Sequence, residues 1–240
     1  MQSKLISEAE IQELLQFTSV SHAVAWLKRT PEYAKAWADL DETSIHRGQI
    51  EKLLKISIFA DFSKIYQFAN PEQCKFLDLY SRRYEIRVLK ELMTNLFDHR
   101  DTDPVDVSPY REFFRRHSKL DLDRLTACTT MDEFINSLKG NEFYVPLSRI
   151  QNHDTALLFD YGMALDLYYF SMIWHVRKKL FSGKDLKQIT MAYGEKFDML
   201  NLQFISRSKR YFHMTPADIY ALLIPVNYKL KKEEISALVE

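Results

Sequence analysis

The sequence predicts an all-α protein made from a repeated helical unit, and three observations carry that reading. Five glycines in 240 residues is about 2%, against a usual share of about 7%. Tight hairpins and phosphate-cradling loops therefore have little material. Apolar residues recur at helical spacing through most of the chain. The pattern that opens near residue 7 opens again near residue 118.

The elements follow in order. Ser7 and Glu10 form a capping-box pattern ahead of Ile11, Leu14 and Leu15, which predicts a short amphipathic helix. A second helix should start near Ser21, with Val24, Trp26 and Leu27 on its apolar side, and Thr30-Pro31 ends or restarts it. Ile50, Leu53, Leu54, Ile58, Phe62 and Ile65 lay one apolar stripe along a long helix. Asn70-Pro71 starts the next. There Leu77, Tyr84 and Val88 lie on one side and Phe76, Leu79, Ile86 and Leu89 on another, which predicts a central helix packed by several neighbours. Residues 98–109 are polar and proline-containing, a connector.

Ala156 to Val176 is the most apolar region, but Asp160 and Asp166 interrupt it. A membrane span needs about 20 apolar residues in sequence, so this is expected to be a buried helix. The aromatics crowded into it, Tyr161, Tyr168, Tyr169, Phe170 and Trp174, read as core. Further on, Ile189, Tyr193, Phe197, Leu200, Phe204 and Tyr211 trace one face of a long helix. Arg207, Lys209 and Arg210 load its last turns, where positive charge suits the helix dipole. Thr215-Pro216 begins another helix.

The repeat shows in matched positions. Ile11, Leu14, Thr18, Leu27, Lys28 and Tyr33 correspond to Leu122, Leu125, Thr129, Leu138, Lys139 and Tyr144 at a constant offset of 111. Tyr84-Glu85-Ile86 corresponds to Phe197-Asp198-Met199 at an offset of 113. Pairing Leu40-Asp41 with Leu165-Asp166 implies about 14 extra residues near 145–164 in the second copy. A third copy opens where Thr215-Pro216 and Lys229-Leu230 parallel Ser108-Pro109 and Lys119-Leu120. The expected organisation is a first unit at 1–97, a connector at 98–109, a second unit at 110–212 and the start of a third at 213–240.

Phe197-Asp198-Met199-Leu200-Asn201-Leu202, then Ser206-Arg207-Ser208-Lys209-Arg210-Tyr211, then Thr215-Pro216 and Leu223-Ile224-Pro225-Val226-Asn227-Tyr228-Lys229-Leu230 resemble one family: the C subunit of the A/V-type rotary ATPases, whose counterpart in the eukaryotic vacuolar enzyme is the d subunit. Val226-Asn227 departs from the glycines the family usually has there. The resemblance extends more weakly over the whole chain. It implies three helical units arranged around a pseudo-threefold axis into a funnel, of which this chain supplies two and an opening fragment. It also implies a non-catalytic rotor part between the central stalk, made of the D and F subunits, and the membrane proteolipid ring. It supplies no catalytic residues. Tyr84, Glu85, Phe197, Asp198, Asn201 and Arg207 match the family motif and are expected to orient helices within each unit. Lys209 and Arg210 are candidate partner contacts.

The residues themselves offer no competing chemistry. Seven histidines include no H-x-x-x-H or H-E-x-x-H pair, and His175 has no ligand at helical spacing. Asp101, Asp103 and Asp106 lack the glycine and ligand spacing of a calcium loop. Gly183-Lys184 lacks the upstream glycine of a phosphate loop and reads as a helix-ending glycine after Lys178-Lys179. Asp160 and Asp166, six apart, point to different faces. Cys74 and Cys128 are isolated, and two reduced, buried thiols are expected. No cofactor and no metal are expected. With 33 basic and 33 acidic side chains, no nucleic-acid partner is expected either.

The reading is therefore a cytoplasmic protein, peripheral to the membrane in a complex. The alternative is an unrelated helical adaptor, or a helical enzyme without a recognisable motif. Leu230, Ile235 and Leu238 form an apolar stripe whose unit would be missing if the chain stopped here. A truncated or short family member with a sticky edge at 213–240 is expected. Its last helix should fold back, dock on another molecule, or fray.

Overall fold

The computed structural model describes residues 6–34, 37–38, 40–41, 44–98, 105–151 and 156–240. Among them all regular structure is helical: α1 (Glu8–Leu14), α2 (Val20–Arg29), α3 (Pro31–Ala34), α4 (Arg47–Phe68), α5 (Pro71–Phe97), α6 (Ser108–His117), α7 (Leu122–Thr126), α8 (Met131–Ser137), α9 (Tyr144–Gln151), α10 (Leu158–Leu180), α11 (Gly183–Arg207), a π-helical turn (Ser208–Phe212), α12 (Pro216–Leu222) and α13 (Lys232–Val239). None of these helices is long and apolar enough to cross a membrane.

Helix starts follow local chemistry. Ser7 Oγ accepts the Glu10 N–H at 3.3 Å while the Glu10 carboxylate accepts the Ser7 N–H at 2.7 Å. Asn70 and Gln73 exchange the same pair of bonds at 2.9 and 3.0 Å, with Pro71 at the first helical position, where no N–H is needed. Thr215 caps α12 through the Asp218 N–H. The second helix starts earlier than Ser21 because the Ser19 hydroxyl takes the His22 N–H and serves as its cap.

The element order runs twice. A pair of short helices, a still shorter one and two long ones, α1 to α5, are followed after α6 by the same overall order of short then long helices in α7 to α11. α4 begins at 47 and α10 at 158, so the offset of 111 persists. That removes the expected insertion near 145–164. Leu40-Asp41 precede α4, whereas Leu165 and Asp166 lie inside α10, Leu165 fully buried and Asp166 paired with Lys90 at 2.6 Å. The likeness of the two dipeptides is a coincidence of sequence.

The chain divides into two compact units, residues 1–68 with 106–116 and residues 69–105 with 117–240. In the first, Phe59 and Phe62 of α4 meet Tyr110 and Phe113 of α6 with ring centroids 5.2–5.3 Å apart. Tilted and edge-on contacts of this kind suit the aromatic quadrupole. In the second, α5 buries Leu79, Ile86, Val88, Leu89, Leu92 and Met93, which makes it the central helix its wide apolar spread required. α10 packs on α5, α9 and α11, with Tyr161 and Tyr169 in the core.

Other expectations are corrected. Cys74 and Cys128 are free thiols but only half-buried. Gly183 does not end α10: Phe181 does, in extended conformation, and Gly183 opens α11 with φ +54°, a backbone setting that suits a residue without Cβ. Asp101 and Asp103 lie outside the described residues. α13 folds back onto α11 and α12, where Ile235 and Val239 close on Ile205 and Ile219. Val239, not Leu238, takes the inward place. It lies one full turn from Ile235, while Leu238 is 43% exposed on the flank.

Candidate functional site

Three of the family-motif residues, Phe197, Asp198 and Asn201, gather on the buried face of α11. Phe197 is fully buried between Phe170, Trp174 and Tyr193, with centroids 5.2, 6.0 and 5.8 Å away. Arg177 lies 3.3 Å over the Trp174 ring and donates to Thr190 Oγ1, so its burial, which lowers its pKa, is partly offset by a cation–π contact and a hydrogen bond.

One residue on, the Asp198 carboxylate accepts three successive main-chain N–H groups, Tyr228 at 3.3 Å, Lys229 at 2.7 Å and Leu230 at 3.2 Å. Asn201 takes both polar groups of Ile224: its Oδ1 accepts the N–H at 2.8 Å and its Nδ2 donates to the carbonyl at 3.1 Å. These two side chains satisfy a non-helical segment that would otherwise bury bare peptide groups. Close approach completes the seat. A Cβ on Gly194 would sit 2.3 Å from the Tyr228 ring, so only glycine lets that ring lie against α11. Lys229 pairs with Glu195 at 2.7 Å on the exposed rim.

On α5, Glu85 stands at the place corresponding to Asp198. It is buried, which pushes its pKa up. The Arg82 guanidinium at 3.1 Å and the Ser118 hydroxyl pull it back. Arg82 also meets Glu142 at 2.6 Å, and Glu142 in turn accepts the Tyr168 hydroxyl at 2.8 Å. Burial and that carboxylate raise the Tyr168 pKa. Asp198 thus holds the chain that follows the next short helix at 228–230, and Ser118, just after α6, stands beside Glu85 in the corresponding place. Tyr84, the partner of Phe197 in the repeat, is half-exposed and faces Tyr80 and Arg83.

The end of α11 is different in character. The π-helical turn closes with the His213 and Met214 N–H groups both reaching the Ser208 carbonyl, His213 being left-handed at φ 49°. The wider turn breaks the helical register, so Tyr211 leaves the apolar face and is 65% exposed, and Phe212 is 66% exposed. Placing Tyr211 on the buried stripe is thereby corrected. Arg207, Tyr211 and Phe212 line an open hollow with Gln203 and Ser206. Arg210 stacks over Tyr211 at 5.8 Å, while Lys209 donates to the Leu238 carbonyl at 3.0 Å and so is committed to the end of α13. No cluster of three metal-ligating side chains occurs among the described residues.

The sequence matches the ATP synthase (C/AC39) subunit family over residues 1–240. The chain belongs to that family. It is 24% identical over 243 aligned positions to the A-type ATP synthase C subunit of Methanosarcina mazei (strain ATCC BAA-159 / DSM 3647 / Goe1 / Go1 / JCM 11833 / OCM 88). The alignment covers 99% of this chain and 64% of that relative, so the chain spans rather less than two thirds of the length of the curated protein it matches. In this member of the C/AC39 family, Asp198, Asn201 and Gly194 form the seat of the 224–230 segment. The sequence pattern marked Asp198 and Asn201 but missed Gly194, Arg82 and Glu142. The matched offset of Glu85 and Asp198 was the one signal pointing to the seats.

Proposed function

We propose that this chain is a non-catalytic connector in the rotor of an A/V-type ATPase. It would link the central stalk, made of the D and F subunits, to the cytoplasmic face of the membrane proteolipid ring in ATP-linked proton or sodium transport. The match to the C/AC39 family along the whole chain carries the reading. The physical form agrees with it. A 27-residue α5 and a 25-residue α11 each span about 40 Å at 1.5 Å per residue, and stiff elements of that length can carry torque. The chain beyond them is held by clamps built into the fold, and no ligand has to order it. The duplicated unit, at 1–97 and 110–212, places similar surfaces at two positions, which favours several spread contacts over one hot spot. Glu85, Phe197, Asp198 and Asn201 act as the structural positions expected of the motif, whereas Arg207, expected to do the same, lines the open hollow and with Arg210 is left to meet a partner.

The test is a pull-down of the tagged chain from detergent-solubilised membranes of its host. Recovery of the stalk subunits or of the proteolipid is the expected result. Recovery of neither, from membranes in which the rotary complex is intact, would refute the connector role. The isolated chain should hydrolyse no ATP and retain no metal after dialysis.

A further inference from the structure

A second surface gathers residues of α5 and α11 on either side of Tyr169 of α10, away from the π-helical turn. Arg83 on α5 donates to the Tyr80 hydroxyl at 2.6 Å and lies over the Tyr80 and Tyr84 rings at 5.1 and 5.4 Å. Tyr169 of α10 reaches toward the Tyr80 carbonyl at 3.5 Å and hydrogen-bonds with Tyr193 of α11. Lys196 of α11 is near enough to Arg83 for the two charges to repel, and that repulsion adds to burial in lowering the Lys196 pKa. Arg87, one turn on from Arg83, acts on Tyr84 in the same way as Arg83 does.

Four nearby carboxylates are engaged elsewhere: Glu85 and Glu142 with Arg82, Asp166 with Lys90, and Glu195 with Lys229. Among the described residues Arg83, Arg87 and Lys196 have no ion pair. Like charges gathered on one face destabilise the free protein, and all three cations are exposed. Tyrosine and arginine are also the side chains enriched where protein surfaces meet.

We propose that the face made by Arg83, Arg87 and Lys196 with Tyr80, Tyr84 and Tyr193 docks an acidic polypeptide segment that presents Asp or Glu carboxylates to these cations. A polypeptide fits better than a free anion because the cations stand on an open face. A small anion there would stay hydrated, whereas a covering chain removes water from the tyrosine rings and strengthens each charge contact. The inference holds for whichever protein carries the carboxylates, so its failure leaves the rotor reading standing.

The experiment measures the anisotropy of a fluorescently labelled poly-glutamate peptide titrated with the full chain at low salt. The double variant Arg83→Ala/Lys196→Ala should bind about tenfold more weakly. The double variant Lys178→Ala/Lys179→Ala removes as many cations from the end of α10 and should bind as the parent does. Arg83→Lys should retain most of the affinity. Circular dichroism melts confirm that each variant is folded. Failure of the parent to bind, or equal loss in the two double variants, overturns the proposal. So does displacement of the peptide by inorganic phosphate at matched ionic strength, which would make the face a small-anion site.

Discussion

Removing the Asp198 carboxylate should unlatch the chain from 224 to 239 while leaving α5 and α10 in place. Of its three N–H partners, the one at 2.7 Å has the length of a charge-assisted bond, and those at 3.2 and 3.3 Å are longer. A hydrogen bond to a charged group contributes about 1.5–3 kcal/mol. Counting the short bond fully and the two long ones together as a second gives about 3–6 kcal/mol for Asp198→Ala. Asp198→Asn keeps one acceptor oxygen and should lose about half of that. Because the clamp is local, the readout is native-state hydrogen exchange. In the alanine variant, amides at 228–230 and in α13 should open about two to four orders of magnitude more often, at about 1.4 kcal/mol per tenfold. Amides of α5 should keep their protection. Unchanged exchange at 228–239, or an equal loss in α5, would refute the argument that this carboxylate fastens the segment.

Gly194→Ala drives a methyl into the Tyr228 ring and should lower stability by about 1–3 kcal/mol, read as a fall in the thermal midpoint; an unchanged midpoint would show that the ring can move aside. Ile235→Ala, in the buried cluster, should cost about 2–5 kcal/mol, and Leu238→Ala no more than about 0.5 kcal/mol, compared by exchange protection in α13. Asp106 has its pKa lowered to about 2, first by the Lys52 ammonium at 2.8 Å and then by Ser108. A depressed acid stabilises the fold above its unfolded value of about 4 and loses that contribution as pH falls through about 2. Since the pair is half-exposed, the effect should stay under about 1 kcal/mol; denaturant titrations at pH 5 and pH 2.5 should show a smaller decline in Asp106→Asn than in the parent.

Caps were legible because they are settled within four residues. Ser7 with Glu10, Asn70 before Pro71 and Thr215 before Pro216 mark helix starts whose capping bonds depend on nothing distant, while the cap at Ser19 was passed over for Ser21. The all-helical class was legible for a similar reason: scarce glycine and a 3.6-residue apolar period act everywhere along the chain. Asp198 was visible as a motif position, yet its role was not, since its partners are main-chain N–H groups some 30 residues away and a backbone donor leaves no trace in residue identity. Tyr211 was misplaced because a helical wheel assumes constant pitch, which the π-helical turn breaks. Leu238 was misplaced because three-residue and four-residue spacings flank the same face, and only packing on Ile205 selects between them.

The polar clamps of the seat on α11 grip peptide groups alone, beside the packing of the Tyr228 ring on Gly194. Asn201 faces Ile224 much as one strand faces another, matching a donor with an acceptor and an acceptor with a donor, and Asp198 collects three amides without bonding a side chain of the segment. Those bonds are indifferent to the letters written on the strap, proline aside, and only the packed side chains of Ile224, Val226 and Tyr228 read its sequence. Asn227, exposed and held only through its neighbours' peptide groups, can therefore vary and leave the strap in its buckle. Substitutions at the exposed positions 227 and 229 are free to retune the surface this stretch shows to other molecules, while Asn201→Asp, which keeps the shape but forfeits the donor, would loosen it at once.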